Sequence, residues 1–136
     1  MALDCALGKR VQLEDNPVST QMLGAEELAR LQSIRASVAV DSRLAGYAVD
    51  LVGATRSGEW ARPLRLGASP RATQALLILA QAKALIQGRA FVVPEDIQNV
   101  APSVLMHRLV PDETWGWSSQ DLASHIQTIL DQVAVP

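Results

Sequence analysis

The sequence has one cysteine, Cys5, and no second thiol with which it could form a disulfide. A lone cysteine also excludes a thiol-rich metal site, and it fits a reducing compartment. No apolar run approaches the roughly 18 residues that a membrane-spanning helix requires. The first residues lack the basic and then apolar pattern of a secretory signal peptide. We therefore expect a cytoplasmic protein without a membrane span.

Aromatic residues and lysines are both scarce. Phe, Trp and Tyr make up 4% of the chain, which disfavours a β-sandwich, because its strands are rich in aromatic and β-branched residues. The net charge of −2 argues against a general nucleic-acid coat, and we expect no nucleic acid as a partner. Only Lys9 and Lys83 are lysines, so arginine supplies most of the positive charge. Arginine binds phosphate and carboxylate through a planar fork of donors, which makes its positions informative.

The common catalytic motifs are missing as well. No segment matches G-x-x-x-x-G-K-[ST], the loop that cradles nucleotide phosphates, because Gly8-Lys9 has neither the preceding glycine nor the following hydroxyl residue. His107 and His125 have no cysteine or carboxylate at a metal-ligand spacing, and no nucleophile elbow is present. We therefore expect no catalytic residue, no metal site and no enzyme activity in this chain on its own.

Helical periodicity dominates the chain after residue 23, where apolar residues recur at helical spacing in five segments. The first predicted helix runs from Ala25 to near Ser37. The second follows Asp41, a favourable N-cap residue. Its predicted buried stripe consists of Leu44, Tyr47, Ala48, Leu51 and Val52. A polar, arginine-rich loop is predicted over residues 56–67.

The third helix should be the longest and the most central, because it is apolar on most sides. Ser69 is predicted to cap it, Pro70 to occupy its first position, and Gly88 to end it. The face predicted to be buried consists of Ala72, Leu76, Leu79, Ala80 and Lys83.

Two further helices complete the predicted fold. Pro94 starts the fourth, in which Pro102 produces either a kink or the start of a separate short helix. Ser118 and Asp121 form a capping box for the fifth. The predicted fold class is all-α, a small bundle of about five helices with at most a very short extended segment near 91–93.

Four arginines gather around the predicted start of the third helix. Arg71 stands at about the second helical position, where free N–H groups and the helix dipole already favour a bound anion. Arg56, Arg62 and Arg65 come from the preceding loop, and Glu59 is the only acid between Arg56 and Arg71. A local positive patch suited to phosphate follows if the loop folds back on the helix.

Five short motifs follow one another along the chain. They are Ala54-Thr55-Arg56, Gly67-Ala68-Ser69-Pro70-Arg71-Ala72, Gly88-Arg89, Val93-Pro94-Glu95-Asp96 and His107-Arg108-Leu109. In order and spacing they resemble the lid domain of the MoxR family of AAA+ ATPases, over roughly residues 23–110. Each motif alone is weak, but the combination is specific. The resemblance implies a C-terminal lid domain at residues 23–136, preceded in residues 1–22 by a linker or a remnant of the ATPase core.

The resemblance also implies roles for single residues. In that family the arginine of the Ser-Pro-Arg motif is the sensor-2 residue, so Arg71 would contact the γ-phosphate of ATP and couple its presence to the position of the lid. Ser69 and Arg56 would belong to the same cofactor-binding site. ATP and Mg²⁺ would be held by the core domain, which the chain lacks, and neither is expected to be bound by this chain alone.

The implied parent protein is a ring-forming ATPase, usually a hexamer, with chaperone-like activity. Its lid would sense bound ATP and couple hydrolysis to the remodelling or activation of a client protein. The expected partners of the lid are the core domain of the same chain, the neighbouring subunits and that client.

Arg71 and Arg56 also have structural interpretations that the sequence leaves open. Arg71, in the first turn of a helix, could pair with a nearby carboxylate. Arg56 could form an ion pair with Asp50 or Glu59. In either case the side chain would stabilise the fold and would not be available to a nucleotide.

Other residues are expected to be structural. Arg62 and Arg65 are most simply part of a solvated loop, and Arg89 is expected to offset the negative end of the third helix. His107 is expected to pack or to cap a helix and not to bind a ligand. The tryptophans of the loops either cover an edge of the core or mark a contact surface; they are Trp60, Trp115 and Trp117.

Two other functions are compatible with such a bundle. Small helical domains with arginine at helix starts also dock on the phosphates of DNA, although the acidic balance and the scarcity of lysine count against this. The chain could also be a protein-interaction module with no nucleotide role.

Overall fold

A computed structural model describes residues 23–136. Five α-helices and two short strands follow one another in that range. The helices are α1 (Ala25–Ala36), α2 (Ser42–Ala54), α3 (Arg71–Ile86), α4 (Pro94–Leu105) and α5 (Ser119–Gln132). The strands are β1 (Leu64–Leu66) and β2 (Val110–Pro111), and single 3-10 turns lie at Glu59–Ala61 and Glu113–Trp115. The predicted all-α bundle is confirmed, and the prediction for residues 1–22 lies outside the described residues.

α2 forms as its local sequence predicts. The carboxylate of Asp41 accepts a hydrogen bond of 2.8 Å from the backbone N–H of Arg43 and so caps the helix. The five residues of the predicted stripe are the buried residues of this helix. A 3.6-residue period was therefore sufficient to identify its core face.

α3 is the central helix, because it packs against α1, α2 and α4. Its buried face is a row at every fourth position, formed by Ala72, Leu76, Ala80 and Ala84. Small side chains in this row let neighbouring helices approach closely. Leu79, which was predicted to be on this face, is 43% exposed, because its position turns it about 100° away from Ala80.

The start of α3 differs in detail from the prediction. The predicted cap by the Ser69 side chain is wrong, since its hydroxyl makes no capping hydrogen bond. Pro70 already has helical backbone angles, and the Ser69 carbonyl accepts a hydrogen bond of 2.8 Å from the N–H of Ala72. The backbone alone starts the helix, because the φ angle of proline is fixed at a helical value. The helix ends as predicted at Gly88, which has a φ of +73°.

α4 is a single helix that contains Pro102, so a separate helix starting at that residue is excluded. The helix continues past the proline, and the N–H of Met106 donates to the Pro102 carbonyl at 3.0 Å. α5 begins with the predicted capping box. The N–H of Ser118 donates to the Asp121 carboxylate at 2.8 Å, and the N–H of Asp121 donates back to the Ser118 hydroxyl at 3.3 Å.

A small antiparallel ribbon lies where the sequence predicted only loops. β1 pairs with β2, with Leu64 opposite Pro111 and Leu66 opposite Val110. Such short strands show no local alternation, and their pairing joins segments far apart in the chain, so periodicity could not predict them. The extended segment predicted near 91–93 is present, since Phe91 forms a parallel bridge with Ala39.

One hydrophobic core joins α2, α3, α4 and α5, whereas α1 contributes no buried residue. The apolar residues that give α1 its helical spacing are Leu28, Leu31 and Ile34, which are 51%, 40% and 40% exposed. α1 is held to α3 in part by a hydrogen bond of 2.6 Å from Arg35 to Gln81. In residues 23–136 no helix is both long enough and apolar enough to cross a membrane.

Candidate functional site

Thr55 joins the end of α2 to the turn that precedes α3. Its side chain is fully buried, and its hydroxyl donates to the Val52 carbonyl at 2.7 Å. The same hydroxyl accepts a hydrogen bond of 3.0 Å from the N–H of Ala68. The sequence showed Thr55 only as the middle of a motif, because a contact between residues 55 and 68 leaves no periodic signal.

Gly67 brings Arg56 against the same turn. A Cβ atom at Gly67 would lie 2.2 Å from the Thr55 carbonyl oxygen and 2.8 Å from the Cγ atom of Arg56. Both distances are far inside van der Waals contact, and the nearer atom is backbone, so only glycine fits. The two ends of the arginine-rich loop, at Arg56 and Gly67, therefore meet just before the start of α3.

Arg71 is the first residue of α3, and its side chain is exposed. Within residues 23–136 the ion pairs are Arg43–Asp41 and Arg89–Asp96, so Arg71 has no carboxylate partner there. The same holds for the guanidinium of Arg56, and neither Asp50 nor Glu59 pairs with it. Of the predicted cofactor-binding residues, Ser69 and Arg71 thus lie at the start of α3, and Arg56 follows α2 and packs against Gly67 just before them; all three are exposed.

Arg62 and Arg65 are exposed residues of the same loop. Arg65 lies on β1, and its charge contributes to the environment of Asp112. The pKa of Asp112 is lowered mainly by hydrogen bonds from the hydroxyl and the N–H of Thr114, and to a smaller extent by Arg65. These two arginines therefore have the solvated character that was predicted for them.

Arg89 lies at the opposite end of α3 and is paired. Its Nη2 and Nη1 atoms donate to the two carboxylate oxygens of Asp96 at 2.7 and 2.8 Å, and Nη1 also donates to the Phe91 carbonyl at 3.0 Å. Asp96 is 1% exposed and accepts a further hydrogen bond of 2.9 Å from the N–H of Val93. Arg89 is thus a structural residue, and its partner is the buried carboxylate of Asp96, which local sequence did not identify.

The charge of Asp96 depends on this pairing. Burial raises the pKa of the carboxyl group, but hydrogen bonds from Arg89 and from the Val93 N–H outweigh burial. The pKa of Asp96 therefore lies below its ordinary value of 3.8. The Gly88-Arg89 and Val93-to-Asp96 motifs thus form one structural unit that holds the start of α4 against the end of α3.

The comparisons with known proteins agree with this geometry. A family model described as the AAA lid domain matches residues 61–126. The chain is 36% identical over 131 residues to the chaperone MoxR1 of Mycobacterium tuberculosis, with 88% of this chain and 33% of that protein covered. It is 32% identical over 95 residues to the protein MoxR of Methylorubrum extorquens, with 69% and 24% covered. The chain belongs to the lid domains of MoxR-type AAA+ ATPases.

A solved structure supports the same assignment for the lid domain. The crystal structure of a candidate ATPase from Cytophaga hutchinsonii matches it with a TM-score of 0.73 and 31% identity. The match covers 82% of this chain and 36% of that structure. The chain thus spans about a third or less of the length of these three relatives.

The tryptophans of the lid domain surround His125. The Nε2 atom of His125 lies 2.8 Å from the Trp60 carbonyl oxygen, and its ring centroid lies 4.9 Å from that of Trp117 and 6.4 Å from that of Trp60. Trp60 and Trp117 are partly buried against the core, so these two cover its edge. Trp115 packs edge-on against Trp117 and is 54% exposed.

His107 has the structural role that was predicted for it. Its Nδ1 atom lies 3.0 Å from the Ser103 carbonyl oxygen, one turn earlier in α4. A ring N–H at this place satisfies a carbonyl at the end of the helix. In the part of the chain that the structure describes, no group of three His, Cys, Asp or Glu residues is arranged to hold a metal ion.

Proposed function

We propose that this lid domain senses ATP bound to an ATPase core and couples its hydrolysis to the remodelling or activation of a partner protein. In this proposal Arg71 is the sensor-2 residue that contacts the γ-phosphate. Ser69 lies on the turn before α3, Arg56 packs against that turn at Gly67, and both are proposed to contribute to the same site. The longer protein that contains the domain is proposed to be a ring-forming ATPase.

The observation that supports this most strongly is the state of Arg71. It is exposed on the first residue of the central helix and has no carboxylate partner within residues 23–136. A guanidinium at a helix N-terminus adds a full positive charge to a place where the dipole and free N–H groups already favour anions. Phosphate is the biological anion that such an arrangement binds best.

The described residues suit the phosphate part of a nucleotide and not its metal ion. Arg56 and Arg71 are donors without acceptor atoms, so they can bind phosphate oxygens but cannot coordinate Mg²⁺. We therefore propose that the core domain holds both the magnesium ion and the rest of the nucleotide. When ATP is bound there, Arg71 would contribute a positive charge next to its terminal phosphate.

The test is an Arg71→Ala substitution in the longer protein that contains this domain. A charge-assisted contact made in the transition state contributes about 2–4 kcal/mol, so we expect ATP hydrolysis to slow by about thirtyfold to a thousandfold. Arg62→Ala is the matched control, because Arg62 is an exposed arginine of the same loop. Normal turnover in the Arg71 variant, with an intact fold, would contradict the proposal and favour a pure interaction module.

A further inference from the structure

Arg108 is a half-buried arginine without a partner. Its Nε atom is buried and has no hydrogen-bond acceptor, and the side chain takes part in no ion pair within the described residues. A buried donor that is left unsatisfied lowers the stability of a fold. Arg89, which is similarly half-buried, shows the usual arrangement, because both of its terminal nitrogens bind a carboxylate. Arg108 therefore differs from Arg89, because no acid of the described residues neutralises its guanidinium.

The fold places Arg108 at the same end of the domain as Arg71. α3 and α4 pack against each other and are joined by the short loop of residues 87–93, so the two helices run antiparallel. The end of α4 therefore lies beside the start of α3, and Arg108 lies three residues after α4, in a turn in which its N–H donates to the Leu105 carbonyl at 2.9 Å.

The pairing of β1 with β2 independently places Arg108 at the same end of the domain as Arg71. Leu66 lies opposite Val110 in an antiparallel pair. From there one strand continues forward into Gly67 and Ala68, and the other runs backward into Leu109 and Arg108. The segment of residues 67–70 that leads to Arg71, against which Arg56 packs at Gly67, is therefore the neighbour of Arg108.

We propose that Arg108 is a third arginine of the phosphate site and binds the phosphate chain of the nucleotide together with Arg56 and Arg71. This inference rests on the proposed function of Arg71 as a nucleotide sensor. Three guanidinium groups at one end of a small domain repel one another unless an anion joins them. No acid within residues 23–136 pairs with any of the three, so the anion must come from elsewhere.

A phosphate chain fits this arrangement better than a carboxylate of the core domain does. One carboxylate satisfies one guanidinium through a two-pronged contact, which would leave the other two arginines unpaired. A triphosphate carries several negative charges and many acceptor oxygens along its length, so it can engage all three at once. Arg108 would therefore contact the ligand and would not merely position Arg71.

The experiment is a titration of the 136-residue chain with inorganic triphosphate, followed by amide NMR at constant ionic strength. We expect shifts at the amides of residues 67–69, 71 and 107–109, with a Kd on the order of 1 mM for so few contacts. Arg108→Gln and Arg71→Gln should each weaken binding about tenfold, which is the effect of losing a hydrogen bond to a charged group. Arg108→Lys should restore part of the affinity, because the charge returns without the planar fork.

Arg43→Gln is the matched control, since it removes the same charge from an exposed arginine that is paired with Asp41. Its affinity for triphosphate should stay within about twofold of the wild type, because solvent and salt screen a distant charge.

An equal loss of affinity in this control would show nonspecific electrostatic attraction and would overturn the inference. If Arg71→Gln lowers the affinity and Arg108→Gln does not, the inference about Arg108 is overturned, and the proposed function of Arg71 is not affected. If only Arg108→Gln lowers the affinity, the role given to Arg71 is contradicted. If the wild type shows no shifts at these amides, the three-arginine site is contradicted.

Discussion

The two ends of α3 use arginine in opposite ways. At its C-terminal end Arg89 binds a carboxylate that is 1% exposed and thereby fixes the start of α4. At its N-terminal end Arg56, Arg71 and Arg108 have no acid partner within residues 23–136. Both ends belong to the motifs that relate the chain to its family. The sequence already predicted a structural role for Arg89 and a ligand-binding role for Arg71, and the partners in the folded chain show which of these arginines are paired with an acid.

The N-terminal end of α3 keeps its shape without an ion pair. Thr55 and Gly67 supply the uncharged contacts that an ion pair supplies at the other end. A hydrogen bond from a buried hydroxyl and a close backbone contact hold the turn without neutralising any arginine. An exposed cation on a rigid support is what a phosphate sensor requires, because little ordering remains to be done when the ligand binds.

Arg89→Met should produce the largest effect on stability. It leaves the Asp96 carboxylate buried without its cation, and breaking a buried pair in this way lowers the free energy of unfolding by about 3 kcal/mol. Chemical denaturation monitored by circular dichroism would measure the loss. The double variant Arg89→Met with Asp96→Asn should recover most of it, since the neutral amide can still accept the Val93 N–H. A stable single variant would show that the paired end is not structural.

Thr55→Val should have the next largest effect, at the other end of α3. The substitution keeps the volume but leaves the N–H of Ala68 without an acceptor, which lowers the free energy of unfolding by about 2 kcal/mol. Thr55→Ser is the control that keeps the hydroxyl and should lose much less. Because Thr55 supports the turn that carries Arg56, the valine variant should also bind inorganic triphosphate more weakly. Unchanged affinity would show that this support does not matter for the site.

The Arg89–Asp96 pair should also affect how the free energy of unfolding changes with acid pH, by a smaller amount. Asp96 has a pKa below its ordinary value of 3.8 in the folded domain, so its contribution is complete above that value and is lost as pH falls through the folded pKa. Asp112 and Asp121 also have lowered pKa values, so the wild-type curve alone is not diagnostic. The double variant at Arg89 and Asp96 should lose less stability than the wild type between about pH 4 and pH 2. Identical acid curves would contradict the role given to the pair.

Arg71→Met and Arg108→Met should change stability least. Arg71 is exposed and unpaired, so its replacement should alter the free energy of unfolding by no more than about 0.5 kcal/mol. Arg108→Met removes a buried donor that has no acceptor, so it should leave stability unchanged or raise it slightly. Thermal unfolding of both variants beside Arg89→Met would test the comparison directly. A large loss at Arg108 would mean that this arginine is structural after all.

Much of this fold could be predicted from local sequence. The ends of the helices follow from capping residues such as Asp41, Ser118 and Gly88, because a cap acts within three or four residues of the helix end. The core face of α2 follows from a 3.6-residue period, because one side of a helix meets the same neighbours along its length. The resemblance of the motifs to the MoxR lid was confirmed, and it directed attention to Arg71.

Four features were decided only by the tertiary structure. They are the ribbon, the Thr55–Ala68 hydrogen bond, the Arg89–Asp96 pair and the place of Arg108. Each depends on residues that are distant in the chain or separated by a turn of undefined direction, and such contacts leave no periodic pattern. Composition and local spacing determined that this chain is a helical bundle with an arginine at the start of its central helix, and the resemblance of its motifs identified the bundle as a lid domain. Whether any arginine is neutralised depends on which acids the folded chain brings within a few ångströms, because charge pairing acts through space and not along the sequence.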